Sequence, residues 1–169
     1  MNINFLSSKQ VLKFHTEGWL GPFQMMSQSK MSIIRDKIFS QIINPANMSN
    51  LDPESYLHNR HLDKKIIWRL CIHKELVKRA ICLLGKDLLC FRTNLQYKKS
   101  ETNFIKGQGE YGEVPWHQDS VYYNFIPNLA LTAWIAITDT NKKNGCLRII
   151  PFSHKKEIPH SSKKKTNAF

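Results

Sequence analysis

The segment Trp116-His117-Gln118-Asp119 sets an imidazole and a carboxylate two residues apart. In an extended segment alternate side chains leave on the same face, so His117 and Asp119 can reach one ion together. A neutral nitrogen beside a charged oxygen suits borderline Fe(II), which non-haem oxygenases hold with two His and one carboxylate, leaving open positions opposite. An H-x-D triplet alone also arises by chance, and a His next to an Asp is often a surface ion pair, so context must decide. Tyr122 and Tyr123 follow the pair and are candidates to line a substrate pocket, although tyrosines at a strand end commonly sit half buried with no ligand.

The elements that must position this pair can be read from spacing. Ser7 and Gln10 have the spacing of a capping box, with Val11, Leu12 and Phe14 after them and Gly18 as a stop, which predicts a short helix ending in a Gly21-Pro22 turn. Ile33, Ile34, Ile38 and Ile42 recur at helical spacing, predicting a second helix over 30–43 before Pro45 blocks it. Residues 44–59 read as loop. Between Asp63 and Gly85, Ile66, Ile67 and Leu70 form one apolar stripe, and Leu76, Val77, Ala80, Ile81 and Leu84 form another, so two more helices are expected, the second capped by Gly85.

From Leu88 onward the pattern changes to short apolar, β-branched and aromatic segments, LLCFRTNLQY, LALTAWIAIT and CLRIIP, separated by polar or glycine-containing loops. The second half is therefore expected to be mostly strands. Residues 99–115 carry Gly107, Gly109 and Gly112 without helical periodicity and read as a loop placed where it could cover a site. Helices first and a sheet afterwards make an α+β fold in one domain over 1–169, with no repeat and no linker.

Composition narrows the function. With 169 residues and 41% hydrophobic content, one buried core is affordable. No stretch approaches the roughly twenty apolar residues of a membrane span, and MNINFLSSKQ lacks the order of a signal peptide, so a cytoplasmic protein without membrane contact is expected. Cys71, Cys82, Cys90 and Cys146 lack metal-type pairing, and reduced, buried thiols are expected. The formal charge of +12 raises the question of a polyanion partner, but lysines are spread from Lys9 to Lys142 and the dense run Lys163–Lys165 lies in a polar tail. A solvated surface is the reading that distribution favours, with no nucleic acid expected.

The stretch WHQDSVYYNFIPNLALTAWIAITDTNKKNGCLRIIPFSHK joins a ligand strand, an apolar strand with a Trp, a polar turn ending Asn-Gly-Cys-Leu, and a Pro-x-Ser-His segment. This order resembles the phytanoyl-CoA dioxygenase family. LSSKQVLKFHTEGWLGP is similar to that family's opening helix and turn, and HLDKKIIWRLCIHKELVKRAICLLG to its helical segment, so the likeness covers essentially the whole chain. It implies N-terminal helices packed on a double-stranded β-helix (jelly-roll or cupin-like) sheet, with Fe(II) as cofactor and 2-oxoglutarate as co-substrate. The implied reaction uses O2 to hydroxylate a small organic molecule while 2-oxoglutarate is decarboxylated to succinate. His117 and Asp119 then become two of the iron's protein ligands. Halogenating relatives replace the carboxylate ligand with a small residue, so Asp119 argues for hydroxylation.

The resemblance also singles out Lys98, at a position where the family often has a lysine reaching a co-substrate carboxylate; Lys99 beside it and a solvated side chain are the alternatives. Trp134 lies where some members pack an aromatic beside 2-oxoglutarate, although filling the core is what large aromatics mostly do. The family's second His ligand and its carboxylate-gripping Arg lie on later strands, whereas 50 residues follow Asp119 here. His154 and His160, the histidines after the motif, match the turn past the barrel strand and are not assigned to iron. Phe152 stands where the family has glycine, and a bulky residue does not enter positive φ freely, so that turn is expected to be distorted or displaced.

About half of the roughly eight strands of such a barrel are recognisable. A C-terminally truncated gene product is the simplest account, with self-association through exposed strand edges. Three functions follow: a 2-oxoglutarate-dependent hydroxylase or a piece of one; a catalytically incomplete chain acting as a binding or interaction module; and a nucleic-acid-directed, repair-type dioxygenase drawn by the positive charge.

Overall fold

A computed structural model of the chain describes residues 5–44, 56–98, 114–123, 125–127 and 129–160. Helix α1 spans Ser8–Glu17. It starts where the Ser7 Oγ accepts from Gln10 N–H at 3.2 Å while Gln10 Oε1 accepts from Ser7 N–H at 2.8 Å. These two bonds satisfy backbone donors that a bare helix end leaves open. Gly18 stops it at φ 84°, its N–H donating to Phe14 O at 2.7 Å.

Helix α2 runs Gln28–Ile38 and opens two residues earlier than the isoleucine spacing alone predicts, because the hydroxyl of Ser27 accepts from Lys30 N–H. It continues as a π-helical turn over Phe39–Ile43. The expected stop at Pro45 lies outside the described residues, as do most of the loop from 44 to 59 and of the glycine-bearing loop from 99 to 115. Helix α3 (Lys65–Cys71) and helix α4 (Lys74–Leu84) answer the two predicted stripes. The imidazole of His73 caps α4 by accepting from Glu75 N–H, and Gly85 (φ 90°) closes it.

The core forms where the sides of α2 and α3 meet: Ile38, Ile42, Leu57, Ile67 and Leu70 are buried together. Leu95, Ile135 and Ile137 from the second half pack on that cluster. Ile135 and Ile137 are two apart, the spacing by which an extended segment offers one face to a core. A second tie is the antiparallel bridge between His58 and Asn94, flanked by Asn59 N–H to Thr93 O at 2.8 Å and Leu95 N–H to Leu57 O at 3.1 Å. Among the described residues this bridge is the one β pairing. No described helix is long and apolar enough to cross a membrane.

Two expectations change. No described cysteine is buried: Cys71, Cys82 and Cys146 are half-buried and Cys90 is exposed; beside Cys71 it is Ile67 and Leu70 that α3 turns inward. Phe152 does enter the left-handed region, at φ 68° and ψ −5°, so the turn keeps the conformation a glycine would favour. That conformation costs a side-chain-bearing residue about 1–2 kcal/mol. Phe152 N–H donating to Glu17 O at 2.9 Å holds it in place.

Candidate metal centre

His117 Nε2 and Asp119 Oδ1 lie 3.4 Å apart, with 32% and 42% of the two side chains exposed. The pair therefore shares one solvent-reachable position. The route to that position differs from a simple strand: Gln118 is extended (φ −112°, ψ 128°), but Asp119 opens a 3-10 turn, Asp119–Tyr122. The turn bends the carboxylate back towards the ring.

Each side chain is fixed from behind. Pro115 O, which can only accept, takes the hydrogen of His117 Nδ1 at 2.7 Å, so in the neutral ring the lone pair is on Nε2 and faces Asp119. Thr132 Oγ1 donates to Asp119 Oδ2 at 2.5 Å and leaves Oδ1 free. Two electron pairs that converge in this way need positive charge between them. A proton on the imidazole makes a surface ion pair worth about 0–1 kcal/mol; a divalent cation makes a metal centre whose outer hydrogen bonds orient the ligands. The donor set fits Fe(II) as two of three protein ligands. Among the described residues no third His, Cys, Asp or Glu completes a cluster.

Gln118, between the two, turns the other way. Its Nε2 donates to Ser153 O at 2.7 Å and to Lys156 O at 2.9 Å, and its Oε1 accepts from Ile158 N–H at 2.8 Å. Its backbone N–H donates to His160 Nε2 at 3.0 Å, so that histidine's lone pair is already used beside the site. His154 faces away, its Nε2 hydrogen directed at His15 O at 3.1 Å.

The ring of Tyr122 meets His117 edge-on at 5.9 Å, and Tyr123 joins Phe91 and Phe125 in an aromatic cluster with centroids 4.9–5.5 Å apart. Arg148 lies over the Trp116 ring at 5.0 Å. Trp134 is 38% exposed, outside the core cluster, and sits two residues from Thr132 on the opposite parity to Ile135 and Ile137. Lys98 is exposed and lies across Gly145, where an added Cβ would come within 2.6 Å of Lys98 Nζ; it makes no ion pair with Asp119. Thr132, Pro115 and Gln118 escaped the sequence reading. A lone hydroxyl within LALTAWIAI was a usable signal for Thr132, whereas nothing local marks the partners of Gln118.

The family profile described as Phytanoyl-CoA dioxygenase (PhyH) matches residues 5–168. The chain belongs to the phytanoyl-CoA dioxygenase family. Its relatives in that family include "Phytanoyl-CoA dioxygenase, peroxisomal" of Bos taurus, 24% identical over 175 residues that cover 93% of this chain and 50% of the relative. The Homo sapiens protein of the same name is 30% identical over 100 residues, 58% of this chain and 28% of the relative. A "Probable alpha-ketoglutarate-dependent hypophosphite dioxygenase" of Stutzerimonas stutzeri is 34% identical over 65 residues, 38% of this chain and 22% of the relative. The chain thus spans half or less of the length of these relatives. No solved structure gives a significant match.

Proposed function

We propose that the chain carries the proximal part of an Fe(II)- and 2-oxoglutarate-dependent dioxygenase site that hydroxylates a small organic molecule. The balanced reaction is R–H with 2-oxoglutarate and O2 giving R–OH, succinate and CO2. The observation that carries this reading is the convergence of His117 Nε2 and Asp119 Oδ1, each held from its far side, in a member of the phytanoyl-CoA dioxygenase family. Fe(II), when bound, would supply the centre at which co-substrate and O2 meet. The residues' own work is to hold that centre: Pro115 O sets the tautomer of His117, and Thr132 keeps one Asp119 oxygen turned to the ion. Lys98 and Trp134 are the proposed 2-oxoglutarate contacts, Trp134 supported by sharing the parity of Thr132. The fold proposed around them is α+β, helices α1 to α4 against part of a double-stranded β-helix.

The test is an anaerobic Fe(II) titration of the chain. Asp119→Ala is expected to abolish most of the affinity, and Thr132→Val to weaken it about 10–100-fold, the usual effect of losing an outer-shell partner. Equal binding by the wild type and Asp119→Ala sinks the proposal.

A second reading is favoured by apolar exposure: Ile126 is 99% and Leu89 87% exposed, surfaces that a partner or a second copy could cover. On that reading the chain is an interaction module, purifying as a defined oligomer that takes up no iron.

A further inference from the structure

We infer that Gln118 is a positioning residue, a clasp that ties the segment 153–160 to the backbone between the two metal ligands and so fixes how His117 and Asp119 face each other. The inference rests on the iron reading above and deepens it.

The amide of Gln118 has two N–H donors and one carbonyl acceptor. All are used on one segment: donors to Ser153 O and Lys156 O, acceptor from Ile158 N–H. The backbone N–H of the same residue goes to His160 Nε2. Four bonds of 2.7–3.0 Å therefore join one residue to a stretch 35 to 42 positions away. Gln118 itself is extended and the 3-10 turn opens at the next residue, so anchoring its side chain to 153–160 fixes the backbone from which His117 leaves on one side and the turn carrying Asp119 starts on the other. The 153–160 segment is itself braced: Phe152 N–H binds Glu17 O and His154 binds His15 O, both at the end of α1. The ligand pair thus has a continuous polar connection to the first helix. Without the clasp, the extended backbone at Gln118 and the 3-10 turn at Asp119 would be free to reorient, and the ligands would spend less time converged.

The test uses Co(II) as an air-stable stand-in for Fe(II), with backbone amide exchange at Ile158 read on the metal-free chain. Gln118→Met keeps the volume and removes all three side-chain bonds; Gln118→Glu keeps an acceptor for Ile158 and loses both donors, giving a second variant should the first fold poorly. Ile67→Val, in the buried core cluster, controls for general destabilisation. The expected result is faster exchange at Ile158 and Co(II) affinity lowered about tenfold or more in both Gln118 variants, with an altered ligand-field spectrum, while Ile67→Val keeps wild-type affinity and spectrum. Unchanged affinity and spectrum in the Gln118 variants, or an equal loss in Ile67→Val, overturns this inference alone. Failure of the wild-type chain to bind Co(II) overturns the iron reading and this inference with it.

Discussion

At the scale of single residues, the decisive facts concern which atom of a side chain is already committed. His117 uses Nδ1 and Asp119 uses Oδ2, and what is left over converges. Cys71 shows the same dependence on surroundings. Its partial burial, and then the neighbouring Cys90, pushes its thiol from 9.0 up to about 12. The unfolded chain would release that proton near 9 and the folded chain near 12, so the folded state binds more protons between those values and stability falls as pH rises through them. Below pH 9 this group has no influence. A thiol reagent at pH 8 is therefore expected to modify exposed Cys90 well before Cys71, and denaturant midpoints should decline between pH 9 and 11. Cys71→Ser should flatten that decline, and an unchanged slope would count against the assignment.

Elements were legible where their ends are made of local bonds. The capping box at Ser7 and Gln10 and the glycine stops at Gly18 and Gly85 bind partners three or four residues away, so spacing alone located α1 and the end of α4. The onset of α2 at Ser27 and the π turn at Phe39–Ile43 were missed, the second because no side-chain signal distinguishes a widened turn from an ordinary one. Gly18 does more than stop a helix: a Cβ there would run into the His154 ring as well as strain a φ of 84°. Gly18→Ala is expected to cost about 1–2 kcal/mol from the left-handed conformation alone. Because it also pushes away the segment that Gln118 grips, the same variant should weaken metal binding. Denaturation and a Co(II) titration of one sample check both effects.

Across the whole molecule, α2 with its π turn and α3 supply the buried cluster on which Leu95, Ile135 and Ile137 of the second half pack. Ile42 is fully buried in it, and Ile42→Ala should destabilise the chain by about 2–5 kcal/mol, the usual result of a cavity in a packed core. Leu62→Ala, at a site 78% exposed, should shift the unfolding midpoint little. The amino-acid sequence alone determined the chemistry on offer, an imidazole and a carboxylate flanking Gln118, and the helices whose ends are closed by neighbours in the chain. Only the tertiary structure decided what stands behind those ligands, since Thr132 reaches Asp119 across 13 residues and Ile158 reaches Gln118 across 40. Such bonds depend on the path of the folded chain, which brings together groups that no local spacing relates.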